Sequence, residues 1–239
     1  MVRRQVASYF YSPLGYVMMA AFLFISGIAF CRALTQSLEE RIKVGDLLFS
    51  SPLFWIMVLV VLTVLTLQSF GEEKHLGTLE TLLTAPVSDT QVVLAKYTAA
   101  LLFFMILCLP LALYPWILRA QAGGVDLDPV PFLTGYALLF LIASCYTAFG
   151  LMISAASRQP AAGGLFTFTG LCLAFFSDTL LFAVRGERLE KALTYLSTSH
   201  QIVDFSQGII DTRPIILYVS GTALFLFAAI KALEARHWK

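Results

Sequence analysis

Hydrophobic positions in this chain are gathered into long runs. Six stretches contain no Asp, Glu, Lys or Arg: residues 5–31, 47–71, 97–118, 129–157, 159–177 and 214–230, each rich in Leu, Phe, Ala, Ile and Val. A helix needs about 20 mostly apolar residues to cross a bilayer, so each run is a candidate span, the last one marginal in length. Only Arg158 divides the fourth run from the fifth. Ser157-Arg158-Gln159-Pro160 followed by Gly163-Gly164 nevertheless has the chemistry of a tight turn, which predicts two spans there. None of the runs alternates at period 2, which disfavours a membrane barrel and leaves helices to satisfy the backbone in lipid. The pattern predicts an all-α integral membrane protein, a single domain over 1–239 with six transmembrane helices.

The shorter segments carry patterns of their own. In 2–12, Val2, Val6, Tyr9 and Phe10 fall on one helical face opposite Arg3, Arg4, Gln5, Ser8 and Ser12, and Pro13 closes the segment. This predicts a surface helix over 1–13, with Val2, Val6 and Phe10 in the acyl boundary and the arginines at the headgroups. Between the second and third runs, over 71–88, Leu76, Leu79, Leu82 and Leu83 recur at helical spacing until Ala85-Pro86 ends the pattern. Ser88 with Gln91 has capping-box spacing and starts the next helix near Asp89. The leucine stripe suits a docking helix, and it equally suits a connector packed on the chain's own helix ends. The longest loop, 185–213, mixes Leu189, Leu193, Tyr195, Leu196, Ile202, Val203 and Phe205 with charges. In it His200 and Asp204 share a helix face, Gly208 offers a helix end, and Asp211-Thr212-Arg213-Pro214 leads into the sixth span. The block 199–213 is expected to be ordered.

Composition strengthens the membrane reading. Hydrophobic residues are 59% and charged ones 13%, about half the roughly 25% charged share of a soluble domain. A mean hydropathy of +0.81 leaves too little polar surface for a water-facing fold. With a net charge of +1 there is no field for nucleic acid. Six spans put both termini on one side. If that side is cytoplasmic, Arg3, Arg4, Lys74, Lys96, Arg158, Lys231, Arg236 and Lys239 lie inside and the other eight basic residues outside. Four of those eight (Arg185, Arg188, Lys191 and Arg213) sit in the longest loop, where the positive-inside rule fades, so cytoplasmic termini are favoured. The apolar stretch ending near Cys31 is too long for the h-region of a signal peptide, and Phe30 stands where a lipoprotein cleavage site needs a small residue.

Candidate chemistry is sparse. Cys31, Cys108, Cys145 and Cys172 lie in or at the ends of apolar runs without CxxC spacing and suit small core residues. His75, His200 and His237 are scattered, so no metal site is expected, and the phosphate-cradling GxxxxGK[ST] loop of an ATPase is missing. Asp178 is read as the one charged residue well inside a span, if the fifth helix continues through Val184, which makes it an intramembrane functional candidate. About 10 Å from that helix end, it is also within reach of interfacial water or Arg185. An ion-coupled secondary transporter would need such midplane groups and a repeat of broken helices, and beyond Asp178 only Pro110 and Pro115 interrupt a span. An intramembrane enzyme would need a nucleophile with a base, or a metal cluster, and neither stands out.

The run from Glu73 through Gly77-Thr78-Leu79-Glu80 and Leu82-Leu83-Thr84 to Pro86-Val87-Ser88-Asp89 resembles the E-x-x-x-G-T-L-E-x-L-L-T-x-P-V-S-D signature of ABC-2 type permeases, particularly their gliding-motility branch. Ser199 to Arg213, followed by a span and Leu233-Glu234-Ala235-Arg236, is similar to that branch's closing pattern, although Gln207 stands where a basic residue is expected. Tyr9 to Val17 is similar to its opening. The resemblance implies a type V exporter-like fold: an elbow helix, six spans with both termini cytoplasmic, a coupling helix in 71–88, and partly re-entrant outer helices before the last span. It implies a permease subunit in the inner membrane of a bacterium, working as a homodimer with separate ABC-type ATPase subunits that hold ATP and Mg, and so not an enzyme itself. The coupling residues would be Glu72, Glu73, Gly77, Thr78, Leu79, Glu80, Leu82 and Leu83. The outer gate, or a contact with an accessory subunit, would involve His200, Asp204, Phe205 and Asp211. Substrate, direction, and transport as opposed to transmission of force stay open.

Overall fold

A computed structural model describes residues 2–40, 49, 51–75, 88–114, 116–117, 129–157, 159–177, 198–206 and 208–235. The described residues form helices and no strand: α1 (Val2–Tyr11), α2 (Pro13–Glu40), α3 (Pro52–His75), α4 (Asp89–Cys108), α5 (Pro129–Ala156), α6 (Pro160–Phe175), α7 (Thr198–Ser206) and α8 (Thr212–Glu234). Among them, five stretches are long and apolar enough to cross a membrane: Pro13–Arg32, Pro52–Phe70, Asp89–Leu113, Phe132–Ala156 and Thr212–Glu234. The fifth predicted span appears as the 16-residue α6, roughly 24 Å of helix against about 30 Å of hydrocarbon.

The helix ends follow the local chemistry. Ser88 caps α4, its Oγ accepting from Gln91 N at 3.4 Å, as the spacing predicts. The turn between α5 and α6 lies at Ser157–Gln159, and Pro160 takes the first helical turn, where its missing N–H costs nothing. Pro110 does the opposite inside the third span. It cannot donate, and the helix tightens into a 3-10 segment over Leu109–Leu113. Pro13, expected to close the surface helix, also opens α2.

Contacts along the helices fix their directions. Phe22 faces Phe104 and Phe30 stacks on Tyr114, so α2 and the third span run in parallel. Phe49 lies against Gly135 and Thr66 against Gly150, so α3 and α5 run in parallel, as do α5 and α8 through Phe149–Phe225. Trp55–Phe175 and Leu67–Gly164 make α6 antiparallel to α3. Thus α2, α4 and α6 run one way and α3, α5 and α8 the other. We call the end holding α1 and Ser88 the elbow end, and the one holding Pro52, Pro129 and Thr212 the far end.

Lipid tails are as apolar as leucine, so close packing and internal hydrogen bonds, not water exclusion, hold such a bundle together. α3 is its axis: 72% of its apolar stretch is buried, against 11% in α8. Its hydroxyls turn back on their own helix, Thr63 to Leu59 O at 2.7 Å, Thr66 to Leu62 O at 2.9 Å and Ser69 to Leu65 O at 3.0 Å, which leaves them satisfied in an apolar core. A Cβ on Gly150 would lie 2.5 Å from Thr66 Oγ1, so this glycine lets α5 approach α3.

α1 departs from the expected placement. Its predicted apolar face exists, with Arg3, Arg4 and Ser8 exposed opposite it, but Tyr9 and Phe10 pack on Phe103 of α4 with ring centroids 5.4 and 5.1 Å apart. Tyr9 Oη also lies 2.7 Å from Ser69 Oγ and 3.3 Å from Leu65 O. A buried phenol needs a partner, and protein supplies one where acyl chains cannot.

Candidate functional site

Two regions can do work, one at each end of the bundle. At the elbow end, α3 carries its helix past the apolar stretch to His75, so Glu72 and Glu73 lie in its last turns. Gly77, Thr78, Leu79, Glu80, Leu82 and Leu83 lie outside the described residues, as does Asp178. Next to this exit stands Lys96, which the run-based reading placed outside the third span. α4 begins at Asp89, so Lys96 sits about two turns inside it and is only 3% exposed. Its Nζ donates to the Ser69 carbonyl and lies 4.7 Å from the Phe70 ring centroid. A lysine at the centre of a spanning helix costs roughly 2.5–3.5 kcal/mol on insertion scales, and one two turns from the helix start costs less. The carbonyl and the ring face offset part of that cost. Among the described residues Lys96 is the one buried charged side chain, so Asp178 is not the sole charge inside a span. The capping signal at Ser88 marks the helix start and implies a buried Lys96, whereas the charge-free run begins only at residue 97.

Ser69 is the meeting point of this region. Its carbonyl takes Lys96 from α4 and its hydroxyl takes Tyr9 from α1. Three elements therefore converge about two turns before residue 76. Neighbouring Gln68 is also buried, and neither of its amide atoms has a partner among the described residues.

At the far end, α7 carries His200, Asp204 and Phe205, while Asp211 caps α8 with Oδ1 accepting from Arg213 N at 3.1 Å. Within 199–213, helix covers the block up to Ser206 and begins again at Thr212. Gly208 N donates to Phe205 O and Ile209 N to Asp204 O, both at 3.0 Å. With Gly208 at φ 86°, this is a Schellman ending of α7. Asp204 is exposed and Phe205 buried.

What anchors α7 is a set of residues the sequence did not single out. Thr198 Oγ1 lies 3.0 Å from Tyr146 Oη and 3.2 Å from Tyr218 Oη, and Tyr218 donates to Gln201 Oε1 at 2.7 Å. At its other end, Thr134 Oγ1 is 2.6 Å from Phe205 O. Tyr146 stands ten residues from Ala156 and fourteen from Phe132 in the fourth long stretch, whereas Thr134 is two residues from Phe132. α7 therefore lies alongside the far half of α5 and starts near the middle of the span. Thr198 borders an apolar cavity of 230 Å³ whose walls also include Leu171, Ala174, Tyr218 and Phe225. No spacing rule pairs isolated Tyr and Thr residues on separate helices; only the fold brings them together.

The described residues form a bundle of apolar helices alternating in direction, five of them long enough to cross a membrane, with α1 at one end and the short α7 at the other. The family model for ABC-2 family transporter proteins matches residues 11–177. The chain belongs to that family. None of the curated proteins matches it. The ABC-2 match runs from the end of α1 through residues 76–87 to just past α6. Membership makes the chain a multi-pass membrane protein and a permease subunit of an ABC transporter, a membrane component and not itself the catalyst. Among the described residues of this ABC-2 permease, no group of three or more His, Cys, Asp and Glu could hold a metal ion.

Proposed function

We propose that this permease forms the membrane path of an ABC transporter of the gliding-motility branch, as a homodimer in a bacterial inner membrane, driven by separate ATPase subunits docked on 71–88. The observation that carries this reading is the family match over a segment in which α3 projects beyond its apolar stretch toward the Gly77-Thr78-Leu79-Glu80 block. The elbow end faces the cytoplasm, α6 completes a sixth crossing, and ATP with Mg is held on the partner. Glu72, Glu73 and Glu80 meet basic groups at the rim of the partner's groove, and Leu79, Leu82 and Leu83 fill it. His200, Asp204, Phe205 and Asp211 gate the far end or hold an accessory subunit.

The docking model ranks two substitutions. Losing a buried leucine side chain typically costs about 2 kcal/mol or more, whereas an exposed ion pair is worth roughly 0–1 kcal/mol. In pull-downs from mild detergent, Leu82→Ala is expected to recover much less of an ABC-type ATPase than Glu73→Ala. Equal recovery would contradict the groove model, and no ATPase with the unaltered chain would contradict the proposal as a whole.

A further inference from the structure

Lys96 has no role in the docking just proposed, yet its placement is specific. It lies on α4 and its Nζ is committed to the Ser69 carbonyl and the Phe70 face, both on the last apolar turn of α3. The bond joins helices that are separated in the chain by residues 76–87. Non-directional apolar contacts between such helices tolerate a small sliding shift without losing a bonded partner. A charge-assisted bond to a backbone carbonyl does not, because a buried ammonium that leaves its acceptor must find another or remain unpaired. An apolar side chain would be cheaper here, and a cation held inside a span is by default functional. Tyr9 grips the hydroxyl of the same Ser69 from α1, so the surface helix is tied to the same turn.

We propose that Lys96 is the positioning residue that yokes the third span to the second, so that a displacement delivered to the intervening loop moves α3 and α4 as one body. This rests on the reading that an ATPase docks on that loop. The yoke explains how a push on a short loop reaches the membrane path: it acts on the carbonyl of Ser69, the α3 residue held from both α1 and α4.

Hydrogen–deuterium exchange on the complex isolated with its ATPase, with and without a non-hydrolysable ATP analogue, tests the yoke. In the unaltered complex the analogue is expected to change exchange several-fold in peptides covering both the α3 end and the first turns of α4. In K96M, with ATPase recovery unchanged, the response at the α3 end should persist while that in α4 disappears, and K96R should restore it. A residue needed only for packing would instead alter α4 exchange without nucleotide and leave the nucleotide response in place. Should K96M fail to accumulate, F70L removes the ring face and is expected to weaken the α4 response in the same direction. An α4 response that survives in K96M, or that is not weakened in F70L when K96M does not accumulate, overturns the yoke. Loss of ATPase binding in K96M also overturns it by making Lys96 a docking residue. Absence of ATPase from the unaltered chain overturns the docking reading first.

Discussion

Single residues in this permease separate into those whose polar groups are spent and those whose groups are not. Thr63, Thr66 and Ser69 return their hydroxyls to their own helix, and Lys96 takes a carbonyl across a helix boundary. Gln68 has neither amide atom bonded among the described residues while only 5% exposed. A buried unsatisfied polar group costs about 1–3 kcal/mol. Gln68→Leu, which keeps most of the volume, is therefore expected to raise the thermal midpoint in detergent, and a lowered midpoint would contradict this account. At this scale the sequence was half legible. Of the four cysteines expected as small core residues, Cys145 is buried, Cys108 and Cys172 are half-buried, and Cys31 is exposed. Tyr146, Thr198 and Tyr218 carried no signal, because the partners of a lone hydroxyl depend on which helices the fold sets side by side.

Elements were legible where backbone chemistry is local. Ser88, Pro160, Gly208 and Asp211 each mark a helix boundary because a cap or a left-handed turn depends on a few neighbouring residues. What an element packs against is not local, so the apolar face of α1 was assigned to lipid when its aromatic residues belong to α4. A side chain at Gly208 must adopt the left-handed conformation, which costs roughly 1–2 kcal/mol. Gly208→Ala should accordingly loosen the end of α7, seen as faster amide exchange over 198–206, with the core amides of α3 unchanged. Unaltered exchange over 198–206 would show that the Thr134 and Thr198 contacts hold the helix without its ending.

For the whole molecule, hydropathy gave the membrane bundle, and contacts between aromatic rings and glycines give the alternating directions. Orientation across the bilayer follows from the proposed function. With the elbow end cytoplasmic, single cysteines at Ser8 and Ile210 in a cysteine-free background should react with an impermeant maleimide from opposite sides, Ile210→Cys alone from outside intact cells. Labelling of both from outside would remove the alternating topology. The position of α7 bears finally on biosynthesis. Nine residues including Asp204 and His200 are too short and too polar to partition into lipid unaided. Their seat is built from Tyr146 and Thr134 on α5 and from Tyr218, which is translated after α7 itself. The seat of α7 is therefore complete only once α8 has been inserted.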